Sequence, residues 1–195
     1  FPKKKFKIKT ICIGNIYLGG TGKTSLAIEI HNILKKKYKT VFIKKNYSDQ
    51  KDEIKLLKNS GKIISTDSRS NSLNIAQKKG FEIAILDDGF QQKNINYDLK
   101  ILCFNSKKGI GNGMVLPSGP LRESFNEIDN CDLIFINGED NNSKLIKKIK
   151  LINKSIKIFK SNYFPTNLKK INTKKNFLIF CGIGNPHEFE NTLSK

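Results

Sequence analysis

Apolar positions follow two rhythms along the chain. Short runs rich in β-branched residues occupy 7–13, 40–44, 62–65, 81–86, 99–104, 132–136, 156–159 and 177–181, and each predicts a buried strand. Between them the apolar residues recur at helical spacing. In 23–37, Leu26, Ile30, Ile33 and Leu34 share one face. Asp52-Glu53 opens a second helix, where acidic residues suit the first turn, and Gly61 ends it. Further helices are predicted over 70–79, stopped by Gly80, over 144–150, and after the turn Gly182-Ile183-Gly184-Asn185-Pro186. Strands alternating with helices predict an α/β fold with a mainly parallel sheet flanked by helices. We divide the chain into a core over 1–175 and the start of a C-terminal subdomain over 176–195.

Composition changes this picture in three ways. The 195 residues are enough for one full core, and no apolar run approaches the ~20 residues of a membrane-spanning helix. The formal net charge is +19, almost all from lysine, since Arg69 and Arg122 are the only arginines. These lysines are strewn among Asn and Ile instead of forming an arginine-rich patch with aromatics, so no nucleic-acid partner is expected. The positive field does favour an anionic lipid surface or an anionic substrate. Cys12, Cys103, Cys131 and Cys181 stand singly in or beside apolar runs, which predicts buried free thiols in a reducing cytoplasm. The chain opens on Phe1 and its last helical pattern breaks off at Lys195, as expected of a piece of a longer protein whose anchor lies elsewhere.

The candidate chemistry begins at Gly14-Asn15-Ile16-Tyr17-Leu18-Gly19-Gly20-Thr21-Gly22-Lys23-Thr24, between the first strand and the first helix. Strand, glycine-rich loop, Gly-Lys-Thr and helix is the context of a phosphate-binding P-loop. Gly19, Gly20 and Gly22 let successive backbone N–H groups turn toward one point, and the helix start adds its positive dipole end. Lys23 would reach the outer phosphates of ATP, and the Thr24 hydroxyl would ligand Mg²⁺. Tyr17 stands where the strict pattern asks for glycine, and a β–α turn without a ligand is the plain alternative. Downstream, an apolar strand runs into Asp87-Asp88, a place where a carboxylate can hold Mg²⁺ at the carboxyl edge of the sheet. The stretch 107–123 is a long loop punctuated by Gly109, Gly111, Gly113, Pro117, Gly119 and Pro120 and closed by Arg122-Glu123. Loops of that length in compact domains are functional or disordered, and these turn residues favour a shaped loop. An exposed ion pair is the plain alternative for Arg122-Glu123.

Four motifs in order then resemble one family. They are the phosphate loop, Asp87-Asp88-Gly89-Phe90-Gln91, Gly111-Asn112-Gly113 with Leu116-Pro117-Ser118-Gly119-Pro120-Leu121-Arg122-Glu123, and Cys181 to Pro186. Together they resemble tetraacyldisaccharide 4′-kinase, the lipid A 4′-kinase of Gram-negative bacteria. The resemblance implies a P-loop NTPase-like kinase, peripheral on the cytoplasmic face of the inner membrane. Such an enzyme phosphorylates the 4′-hydroxyl of tetraacyldisaccharide 1-phosphate from ATP and Mg²⁺, giving lipid IVA. It further implies Asp52 as the base, with Lys23 and Arg122 acting on the transferring phosphoryl. Gly19, Gly20, Thr21, Gly22, Lys23 and Thr24 would hold the nucleotide, and Thr24, Asp87 and Glu123 the metal or its waters. Tyr47, Glu53, Arg69, Asp88 and Gln91 would face the lipid substrate.

The departures are specific. Asp52-Glu53-Ile54 stands for the family's Asp-Glu-Pro, and Lys44-Lys45-Asn46-Tyr47 for its Ser-Arg-Gly-Tyr. Asp67-Ser68-Arg69 stands for an adjacent Asp-Arg pair, and Gln92 for a common histidine. The histidine that partners the base in the family would lie beyond Lys195. His31 and His187 do not replace it, because both are predicted on polar helix faces. Two other classes compete with the kinase. One is a ParA- or MinD-like partitioning ATPase, which would carry lysine where Leu18 stands. The other is a lysine-rich nucleic-acid module with an incidental P-loop.

Overall fold

In the computed structural model, which describes residues 2–46, 51–139, 141–164, 178, 180–181 and 186–193, β1 (Lys9–Gly14) runs through the middle of one sheet. The other strands are β2 (Thr40–Lys45), β3 (Ile63–Thr66), β4 (Ile83–Asp87), β5 (Leu99–Asn105), β6 (Leu133–Asn137) and β7 (Lys157–Ser161). Their order is β3-β2-β4-β1-β5-β6-β7, and every pairing is parallel. The helices are α1 (Lys23–Leu34), α2 (Lys51–Ser60), α3 (Arg69–Lys78), α4 (Ser143–Ile152) and α5 (Pro186–Leu193), with a 3₁₀ turn at Phe125–Asn130. The predicted α/β architecture is borne out. The boundary expected at 175/176 and Tyr47 lie outside the described residues, as do 177 and 179; the strand expected over 177–181 is not found at Leu178, Phe180 and Cys181, which belong to no strand.

A parallel sheet is covered on both faces, so its strands are apolar throughout and sort by period two. Cys12, Val41, Ile43, Ala84 and Leu86 face α3 and pack with Leu73 and Ala76. Ile13, Phe42, Ile85 and Cys103 face the other way and pack with Ala27 of α1 and Leu57 of α2. Each Val, Leu, Ile or Phe among them taken fully out of water contributes about 1.5–3 kcal/mol before the entropy of ordering it. Beyond β1, Phe104, Leu121, Ile134 and Ile149 close a third cluster under α4.

One sequence reading is corrected. His31 is not on a polar face but is buried, 4% exposed, while Ile33 is 60% exposed. The buried stripe of α1 runs through Ala27 and His31. The small Ala27 lets the helix approach the sheet closely. His31 can be buried because its Nδ1 pairs with the Thr40 hydroxyl at 2.8 Å and its ring packs at a tilt against Phe42, 4.6 Å between centroids. Gly61 completes the seat, since a Cβ there would lie 2.4 Å from His31 Nε2. Desolvation, helped by the neighbouring Lys35 charge, lowers the imidazole pKa, so the ring is held neutral. The cysteines follow expectation for Cys12, Cys103 and Cys131, which are buried free thiols, whereas Cys181 is half-buried. Burial pushes the Cys12 thiol up to about 12.

Asp98, just before β5, ties down the start of β1. Its carboxylate accepts from the Thr10 amide and hydroxyl, both at 2.9 Å, and pairs with Lys5 at 2.8 Å. Partial burial works to raise its pKa, but the Lys5 and Thr10 hydrogen bonds outweigh it and hold the group at about 2. A carboxyl depressed in the folded state adds stability above its unfolded pKa and loses it as pH falls through the folded value. Asp98→Asn should therefore be less stable than the parent in denaturant melts at about pH 6, with the gap narrowing toward about pH 2. A gap that stays constant with pH would rule out this linkage.

Candidate functional site

The carboxyl ends of β1 and β4 lie side by side, with Ile13 in register with Asp87. β1 also pairs with β5 on its other edge, so the loops that follow β1 and β4 open where strand order reverses. Crevices at such points are where ligands meet an open α/β sheet.

The loop after β1 is built on left-handed glycines. Gly19, Gly20 and Gly22 have φ of 67°, 57° and 82°, and Gly22 caps α1 with no side-chain partner. The first amides of α1 are thus left to an outside acceptor. Gly22 is also confined: a Cβ there would lie 2.6 Å from Asn137 Nδ2. Thr21 is buried with its hydroxyl unpartnered. Lys108 reaches over the loop, its ammonium 3.1 Å from where a Gly20 Cβ would stand.

Beneath this nest lies Asp87, its side chain fully buried. Its Oδ2 accepts from Lys44 Nζ at 2.7 Å and from Thr24 Oγ1 at 3.3 Å, while its Oδ1 is buried without a partner. Lys44 also pairs with Glu53, in the first turn of α2. Burial would lower the Lys44 pKa, but the Asp87 and Glu53 carboxylates outweigh it and raise the pKa, keeping the ammonium charged. Asp52, beside Glu53, is exposed on the same turn.

Asp88 takes a left-handed φ of 58°, which turns its carboxylate to the other side of the loop. There it meets Arg122 Nη1 at 2.8 Å and Lys23 Nζ at 3.6 Å. Burial works to raise its pKa, but Lys23, Arg122 and Lys44 together hold it below the usual carboxylate range. Arg122 is stapled in place, its backbone amide donating to the Ile16 carbonyl at 2.6 Å and its guanidinium to Asn15 Oδ1 at 3.4 Å. Leu18 donates to the Pro120 carbonyl at 3.0 Å, so the 107–123 loop lies against the phosphate loop as a shaped element. Gln91 Nε2 donates to the Asn15 carbonyl at 2.9 Å. Arg69 is buried and reaches the Asp88 carbonyl and Gln92 Oε1.

The structure thus gathers Lys23, Thr24, Asp87, Asp88, Arg122, Gln91 and Arg69 around one loop, and links Glu53 to them through Lys44. Glu123 points elsewhere. It faces Lys93 at 3.6 Å, and its Oε2 is buried without a partner. Desolvation and the nearby Glu127 outweigh Lys93 and raise its pKa. Among the described residues no three His, Cys, Asp or Glu side chains gather as a metal cluster. A magnesium ion fits a different donor set, the Thr24 hydroxyl and the open Asp87 Oδ1 completed by phosphate and water oxygens. Mg²⁺ is commonly held by one or two carboxylates plus phosphates. Tyr47 lies outside the described residues, as does the side chain of His187.

Two functional-looking groups were not read from the sequence. Lys44 was seen only as a departure from a motif, although a lysine closing an apolar strand run is itself a signal of a buried partner. Tyr163, whose hydroxyl bridges Asn137 at 3.0 Å and Ser25 at 3.3 Å, gave no periodic signal.

Comparison with known proteins agrees with this geometry. A match to the family described as tetraacyldisaccharide-1-P 4′-kinase covers residues 1–195. The tetraacyldisaccharide 4′-kinase of Pelagibacter ubique (strain HTCC1062) is 50% identical over 192 residues, 96% of this chain and 61% of that protein. That of Rickettsia canadensis (strain McKiel) is 31% identical over 203 residues, 95% of this chain and 61% of that protein. The chain therefore spans about three fifths of the length of these relatives. Among solved structures, LpxK from Aquifex aeolicus in complex with ATP superimposes with a TM-score of 0.63 at 21% identity, covering 84% of this chain and 73% of that one. The hydrogenase maturation factor HypB from Archaeoglobus fulgidus superimposes with a TM-score of 0.53 at 15% identity, covering 84% and 83%. At these identities the superpositions speak to the fold, which is that of P-loop NTPases.

Proposed function

The chain belongs to the tetraacyldisaccharide-1-P 4′-kinase family, and from that premise we propose that the full-length protein phosphorylates the 4′-hydroxyl of a tetraacyldisaccharide 1-phosphate from ATP, giving lipid IVA. The observation that carries the reading is the set of Thr24, Asp87 and Lys23 grouped under an amide nest of three left-handed glycines. ATP with Mg²⁺ would supply the phosphoryl group and neutralise part of its charge. The chain's own residues position it. Amides from 19 to 24 would hold the phosphates, Lys23 would exchange its contact with Asp88 for them, and Thr24 with Asp87 Oδ1 would hold the metal. Asp52 accepts the proton of the sugar hydroxyl. Arg122 and Arg69 offset charge on the phosphoryl group or on the acceptor's 1-phosphate. Glu53, Asp88, Gln91 and Tyr47 are assigned to the acceptor side, and Glu123, whose carboxylate faces Lys93, is given no part at the metal.

We place the protein at the cytoplasmic face of the inner membrane. A net charge of +19 and the exposed Leu18, Met114, Val115 and Leu116 suit an anionic lipid surface. Among the described residues no helix is long and apolar enough to cross a membrane. The partitioning-ATPase reading has less support, because Leu18 stands at its characteristic lysine and the family match covers the chain. The direct test is transfer from γ-labelled ATP to tetraacyldisaccharide 1-phosphate by the full-length protein. Labelled lipid is the expected product, and ATP hydrolysis without lipid labelling would favour a switch ATPase.

A further inference from the structure

Lys44 is a buried charged side chain in this site with no role in the kinase reading. It lies in β2, between β3 and β4 in the sheet, on the face that Phe42 shares with α1 and α2. Its side chain is 1% exposed and that of Asp87 is 0% exposed. A lysine is almost never buried this far without a partner, because the ammonium loses its hydration. Asp87 alone would neutralise it. Yet Lys44 also holds Glu53, a carboxylate whose side chain is 49% exposed and could stay fully in water. The ammonium therefore spans two elements, the buried end of β4 and the first turn of α2.

The rest of α2 is anchored differently. Leu57 is fully buried, and Gly61, whose amide donates to the Leu57 carbonyl at 3.0 Å, packs under His31. The far end of the helix is thus fixed by packing. In the turn that carries Asp52 and Glu53, both are exposed and Ile54 is half-buried, and among the described residues Lys44 links this turn to the nucleotide side. Lys44 also occupies one oxygen of Asp87, Oδ2, and leaves Oδ1 open.

We propose that Lys44 is a positioning residue: it ties the Asp52-bearing turn of α2, through Glu53, to the Asp87 carboxylate under the phosphate loop. The tether stands on the geometry, and its bearing on catalysis rests on the kinase reading above. Ordering that turn keeps the acceptor-side residues in register with the phosphates, where a displacement of about 1 Å can cost about 10² in rate.

The test uses the full-length protein and two variants. Lys44→Met removes the ammonium but leaves Asp87 buried and unpaired, which can unfold the protein. Glu53→Gln weakens the same link from its half-exposed end, leaving at most a neutral hydrogen bond in place of the ion pair, and keeps the fold. Hydrogen exchange reads the link without any activity. The amides of 55–57 bond the carbonyls of the first turn, four residues back, so loosening that turn exposes them. In Glu53→Gln their exchange should rise on the order of fivefold, the equivalent of about 1 kcal/mol, while the Gly61 amide keeps its rate. Transfer kcat should fall about tenfold with the KM for ATP within about twofold, which separates positioning from nucleotide binding. Lys44→Arg, if it folds, should retain more of both than Lys44→Met. Unchanged exchange at 55–57 overturns the proposal, and so does a rise that extends equally to Gly61, which would mark a general loss of stability. If the unmodified protein labels no lipid, the kinase reading falls, and the exchange rates still decide the tether.

Discussion

Asp52→Ala in the full-length protein should lower phosphoryl transfer by about 10²–10⁴, the range ascribed to a positioned general base. The residue is exposed in the first turn of α2. It is also next to Glu53, whose pairing with Lys44 links this turn to Asp87. Removing the side chain leaves the phosphate nest untouched, so ATP binding measured by titration should change little. The loss should appear in kcat for the lipid acceptor. Near-parent turnover would remove Asp52 from the role of base and leave the acceptor hydroxyl to another group. Asp52→Asn should lose nearly as much, because it keeps shape and hydrogen bonding but not basicity.

Lys23→Ala should act differently. A preorganised donor aimed at developing phosphoryl charge is worth about 10²–10³ in rate, and on the proposed reading Lys23 would also hold the phosphates in the ground state. Both kcat and ATP affinity should therefore fall. Lys23 opens α1 and is 3.6 Å from Asp88 with its side chain 14% exposed, so the ammonium is already held at the mouth of the nest. Equilibrium binding of ATP and steady-state transfer, measured side by side, read the two losses. Kinetics unchanged from the parent would detach the glycine-rich loop from nucleotide chemistry altogether.

Much of the fold was legible because a parallel sheet writes its strands as continuous apolar runs. The runs at 40–44, 81–86 and 99–104 each became a strand within a residue or two. The phosphate loop was legible for a chemical reason: Gly19, Gly20 and Gly22 all adopt a left-handed φ that other residues resist. The failures share one cause, which is that pairing between distant segments overrides local pattern. His31 looked like a surface residue until Thr40, Phe42 and Gly61 closed around it. Lys44 looked like an eroded motif until Asp87 and Glu53 met its ammonium. Arg122 was expected beside the phosphate loop, and its amide does bond Ile16 while its guanidinium pairs with Asp88. Glu123, its neighbour, was expected there too, but successive side chains of an irregular segment diverge, and Lys93 took it.

Two cations divide the carboxylate of Asp88. An anion that draws Lys23 away leaves that carboxylate wholly to Arg122, and opposite charges that lose a competitor bind each other more tightly. Arg122 is in turn fastened to Ile16 through its own amide. The strap from 107 to 123 is therefore fastened to the glycine turn, and a ligand that competes for Lys23 would act on both through Asp88.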